Sequence, residues 1–98
     1  MVYIENWDAL SKKAKDIHRA LESVKEEIEA IDWYHQRVDL AENDELRAVL
    51  AHNRDEEIEH AAMVLEWLRR NMDGWDNELR EYLFTSEPIA EVEAEAHE

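Results

Sequence analysis

Cysteine is absent, and with it any disulfide framework, thiolate ligand or thiol nucleophile, so a metal held by this chain must be held by Asp, Glu and His. Glycine and proline occur once each, too rarely for the many turns of a sheet protein, while 38% of residues are charged, a balance that suits long helices. Positive charge is scarce. Lys and Arg total 11 against 26 Asp and Glu, and the formal charge of -15 repels nucleic acid and anionic membrane surfaces while favouring cations as partners. No apolar run approaches the roughly 20 residues that span a bilayer, and Met1-Val2-Tyr3-Ile4-Glu5 lacks the basic and apolar parts of a secretion signal. The expected compartment is the cytoplasm. At 98 residues the chain has room for one domain, 1–98, with a modest core, and helical domains of this size often bury their remaining apolar surface by self-association.

What the sequence has is helical periodicity. Over about 7–40, apolar or small residues recur at Leu10, Ala14, Ile17, Leu21, Val24, Ile28, Ile31 and Val38, and His35 fills the one seam position that is not apolar. Steps of three and four predict one long helix with a coiled-coil-like seam, capped by Asn6 or Asp8. Ala41-Glu42-Asn43-Asp44 then interrupts the pattern with short polar residues, and a second helix is expected over about 45–71, capped by Asn43 or Asp44. So short a link sets two long helices antiparallel, an αα-hairpin bent near Glu42. Gly74 is the expected left-handed terminator of the second helix. A short third helix should follow over about 75–84, and an acidic tail, either a frayed helix or a disordered segment, over about 86–98.

The chemistry sits in Asp55-Glu56-Glu57-Ile58-Glu59-His60. The second helix has an apolar stripe of Leu46, Val49, Leu50, Ala61, Val64, Trp67 and Leu68, interrupted by Asn53, Glu57 and His60. Polar groups on such a stripe must be paired, hydrated or ligated. Glu57 and His60, one turn apart, present a carboxylate and an imidazole from one face; Glu56, four residues from His60, also reaches it. Glu27 interrupts the matching stripe of the first helix, Ala20, Val24, Ile31 and Tyr34, and both Glu27 and Glu57 stand 15 residues from position 42. The hairpin should therefore set them level. One Glu from each of two helices plus Glu-x-x-His from each of two others is the template of di-iron carboxylate bundles, and one chain offers half of it. Two-fold symmetry would supply four Glu and two His together with the missing helices. The expected fold class is all-α: an antiparallel two-helix hairpin plus a short C-terminal helix, dimerising into a ferritin-like four-helix bundle. Carboxylates suit ferrous and ferric iron and imidazole suits the lower charge state, while a manganese or mixed-metal centre is an alternative loading of the same donors. A second functional class also stays open, a non-catalytic acidic helical assembly protein that only binds divalent cations.

The chain also resembles the encapsulated ferritins, ferroxidase cargo of encapsulin compartments. The resemblance lies in Glu26-Glu27-Ile28-Glu29-Ala30-Ile31-Asp32-Trp33-Tyr34, in Ala51-His52-Asn53-Arg54-Asp55-Glu56-Glu57-Ile58-Glu59-His60-Ala61-Ala62-Met63, and onward through Leu65-Glu66-Trp67-Leu68-Arg69-Arg70-Asn71 to Tyr82-Leu83-Phe84-Thr85. It implies that Glu27, Glu57 and His60 are iron ligands duplicated across a homodimer, with Trp33 and Tyr34 behind them. Glu26 and Glu29 match a further site for Ca2+ or another divalent cation on the inward route of iron. An annular decamer, an encapsulin shell as partner, and storage of the oxidised iron in that shell are implied too. The targeting peptide of such proteins has no counterpart in Glu91-Val92-Glu93-Ala94-Glu95-Ala96-His97-Glu98.

Overall fold

In the computed structural model, which describes residues 4–96, the first long helix starts later than its apolar period does. Residues 1–3 and 97–98, the two ends of the expected domain, lie outside the described residues. Asn6 does act as a cap, its Oδ1 accepting the Asp8 N–H at 3.0 Å, but the element it opens is a 3-10 turn, Trp7–Ala9. Leu10 is extended, and Ser11 then caps helix α1, Lys12–Leu40, through an Ala14 N–H to Oγ bond of 3.1 Å. The apolar spacing runs through this break because Leu10 and Ala14 keep helical register across it. Helix α2, Asp44–Asn71, begins at Asn43, whose Oδ1 accepts the Leu46 N–H at 2.9 Å, and Asp44 and Glu45 place negative charge at its positive end. Residues 41–43 turn the chain, and α1 and α2 pack as a hairpin.

Gly74 corrects the expectation made of it. Helix α2 leaves through Met72 in an extended conformation (φ -116°, ψ 119°), its N–H donating to the Leu68 carbonyl, so no left-handed residue is needed there. The left-handed geometry, φ +101°, instead turns the chain into α3, Trp75–Tyr82. That helix stops two residues short of the expected 84: Leu83 is extended and Phe84 takes φ +64°. The Thr85 hydroxyl donates to the Tyr82 carbonyl at 2.9 Å. Of the two forms expected for the tail, the helical one is present as α4, Ile89–Ala96, with the Pro88 carbonyl accepting from the Glu91 and Val92 amides. All four helices are thus joined without a strand among the described residues.

Two helices can bury only one seam, and this limits the core. Ala14, Ile17, Val24, Ile31 and Val38 of α1 and Leu50, Ala61 and Val64 of α2 are half-buried, whereas Leu68 is the one fully buried side chain among the described residues. The rest of the predicted seam faces outward: Leu21 and Ile28 on α1 and Leu46, Val49 and Trp67 on α2 are exposed, as is Met63. The radius of gyration is 17.5 Å, well above the roughly 13 Å of a compact chain of this size.

Candidate metal centre

Glu27 comes from the middle of α1, and Glu57 and His60 from the middle of α2. Glu27 is half-buried, and its Oε2 is shut off from solvent without a hydrogen-bond partner among the described residues. Its carboxyl is pushed above the ordinary carboxylate range, first by burial, next by the charge of Glu57, with Glu26 adding to this and His60 opposing it. Charge on α2 is therefore felt at Glu27 across the hairpin, as the equal distances from position 42 suggested. On α2 itself, His60 Nδ1 lies 3.9 Å from Glu57 Oε2 and its Nε2 lies 3.8 Å from Glu56 Oε2. Both separations exceed a hydrogen bond, so the imidazole is placed among carboxylates without being tied to either.

The donors fit a di- or trivalent cation. An orphaned carboxylate oxygen that feels the charge of a second carboxylate and an imidazole is a place where a cation would be favoured, and oxygen with nitrogen donors is the set that iron or manganese takes. Within one chain the set is not closed: among the described residues no group of three or more His, Asp or Glu side chains converges tightly enough to hold an ion.

The remaining sequence candidates are dispersed. Glu26 and Glu29 are exposed on α1, Glu26 touching the cluster through its charge on Glu27. Trp33 is half-exposed and lines a shallow groove near the hairpin bend with Arg37, Leu40, Leu46 and Leu50. Tyr34 is half-buried, with the Arg37 guanidinium 5.2 Å from its ring centre. His52, which the sequence analysis did not single out, has its Nε2 3.6 Å from Glu56 Oε1, so Glu56 stands between His52 and His60. The signal was present as two steps of four residues. His35, expected on the seam, is exposed and accepts through Nδ1 from Arg54 Nη1 at 3.2 Å; helical spacing does not pair those two positions.

A folded-state pKa raised above the unfolded value favours the native state only while the carboxyl is protonated, so at neutral pH Glu27 destabilises the metal-free protein. Glu27→Gln should therefore raise the metal-free melting temperature at pH 7, lose that advantage as the pH falls through the acidic range, and weaken ferrous-ion binding. Calorimetry with and without metal reads both effects.

Two long helices packed as a hairpin, with short helices after them and no strand among the described residues, are consistent with a ferritin-like fold. The chain belongs to the EncFtn-like family, whose model matches residues 2–86. It is 60% identical over 93 residues to a ferritin-like protein of Thermotoga maritima, covering 95% of this chain and 82% of that one. To an encapsulated ferritin-like protein of Rhodospirillum rubrum it is 58% identical over 90 residues, covering 92% of this chain and 64% of the relative, just under two thirds of its length. A crystal structure of a Nitrosomonas europaea protein superposes with a TM-score of 0.88 at 54% identity, covering 92% of this chain and 99% of that one.

Proposed function

We propose that the chain is a ferroxidase subunit that oxidises Fe(II) to Fe(III) with dioxygen at a di-iron site formed across a two-fold dimer, for iron storage within an encapsulin compartment in the cytoplasm. The observation that carries this reading is the buried, unpartnered Glu27 oxygen beside Glu57 and His60, a set that one chain leaves open. A second copy related by a two-fold axis would double the donors to four carboxylates and two imidazoles. The same copy would cover apolar residues that the lone hairpin leaves in water, Met63 at 64% exposure and Trp67 at 38% among them. Glu27, Glu57 and His60 of each subunit would bind the substrate iron; held as a pair, two ferrous ions can each give one electron to dioxygen. Glu26 and Glu29 would hold Ca2+ or another divalent ion on the way in, and Trp33 and Tyr34 would support the ligands from behind. The relatives' names support a role inside a shell, and an annular decamer with the encapsulin shell as partner is the assembly proposed. No described helix is long and apolar enough to cross a membrane.

Anomalous scattering at the iron edge from iron-soaked crystals tests the proposal. Two peaks astride a two-fold axis, each between Glu57 and His60, are expected, together with a rise in sedimenting mass on adding ferrous iron. Iron scattered over the acidic surface with unchanged mass would favour the non-catalytic cation-binding assembly instead.

A further inference from the structure

Helix α3 is eight residues long, about 12 Å at 1.5 Å per residue, and a helix this short does not persist alone in water. Its direction relative to α2 must be held by something at the joint, 72–74. Apolar cover there consists of the buried Leu68 and of Met72, Trp75 and Leu79, which are half-buried, the Trp75 indole Nε1 donating to Met72 Sδ at 3.2 Å, while Leu83 is exposed. Gly74 does not wedge the angle sterically, since nothing lies within 4 Å of where a Cβ would stand.

Charge crosses the joint as well. Arg69 grips Glu66 with two parallel bonds, Nε to Oε1 and Nη2 to Oε2, each 2.7 Å, which fixes the guanidinium plane and aims Nη1 at Asp76 in the first turn of α3. Arg70 Nε adds a 2.6 Å bond to Glu66, and Arg80 Nε donates to both Asp76 oxygens at 3.0 Å. The charges alternate along the run Arg70, Glu66, Arg69, Asp76, Arg80. Isolated surface pairs contribute little, but a network with a bidentate fork is the exception, and the Arg69 side chain is only 28% exposed. The helix ends favour the same arrangement, with Arg69 and Arg70 in the last turn of α2 and Asp76 at the start of α3. Arg69 and Arg70 hold the Glu66 carboxyl down to about 2, and Arg80 and Arg69 hold Asp76 below its ordinary value, so the acidic members stay charged in mild acid.

We propose that Arg69 is a latch whose fork onto Glu66 and Asp76, rather than apolar packing, fixes the direction in which the α3–α4 arm leaves the hairpin. The arm carries Leu83, Phe84 and Ile89, all exposed, so the latch decides where that apolar surface is presented. This holds for the metal-free protein and does not depend on the iron chemistry.

The chain has no cysteine, so spin labels on Lys25→Cys and Asn77→Cys, both exposed positions, report one distance between hairpin and arm when labelled full-length chains are diluted into unlabelled ones. Pulsed electron resonance should give one narrow distribution for the parent. Arg69→Lys keeps the charge but loses the fork, and the isosteric Asp76→Asn loses the receiving charge; each should broaden the distribution roughly twofold at unchanged helical content, while Leu79→Ala should leave it narrow. A distribution that stays narrow with both Arg69→Lys and Asp76→Asn would overturn the latch, whatever Leu79→Ala does.

Discussion

Replacing His60 or Glu57 with alanine is expected to abolish rapid ferrous oxidation while leaving the helical fold in place. Groups that merely support metal ligands cost about 10- to 100-fold when removed. A ligand shared by a two-fold site should cost more, because each single substitution removes two donors from the assembled centre. The initial rate of Fe(II) oxidation, followed by stopped-flow absorbance, should thus fall on the order of 100-fold or more in either variant. Among the described residues neither side chain makes a hydrogen bond, His60 lying 3.8 and 3.9 Å from its carboxylate neighbours, so the metal-free fold loses little with it. Undiminished oxidation in both variants would remove the centre from these residues. Glu56→Ala separates the two neighbours of the imidazole: a milder loss is expected, since Glu56 is shared with His52 and Glu57 is the carboxylate that Glu27 senses.

Leu68→Ala is expected to be the most damaging single truncation for stability. Leu68 is the only completely buried side chain among the described residues. Removing a buried leucine to the β-carbon costs about 2–5 kcal/mol. For a chain of this size that corresponds to a fall in melting temperature on the order of 10–20 °C, measured at fixed protein concentration because any self-association would add to apparent stability. Ile28→Ala gives the contrast. At 57% exposure its side chain buries little within the chain, so the metal-free monomer should hardly change, and a loss would appear only where another copy covers it. A Leu68→Ala melting temperature within a few degrees of the parent would mean that the corner relaxes around the gap.

Much of the hairpin was legible because its signals are local. Asn43 stops one pattern and starts another, and the run of three- and four-residue steps leaves no plausible reading but long helices. The start of α1 was missed because Leu10 keeps apolar register with Ala14 while its backbone is extended, and periodicity does not see the backbone. Gly74 was recognised as left-handed but assigned to the wrong helix, since Met72 already ends α2 without it. The joint at α3 was illegible: the Arg69 fork depends on where Asp76 arrives after a turn, and seven positions apart in sequence do not announce a contact.

The sequence by itself determined which donor types any bound metal could find, through the want of cysteine and the excess of acid, and it put Glu57 and His60 on a shared helix face through their spacing. It also set Glu27 level with Glu57 by equal arm lengths about the bend. Only the tertiary structure decided that one Glu27 oxygen is buried without a partner, that much of the apolar stripe remains in water, and that the arm is held by charge. The physical reason is common to all three: burial and long-range contact depend on which faces two helices turn to each other, whereas period and spacing define only the faces each helix has to offer.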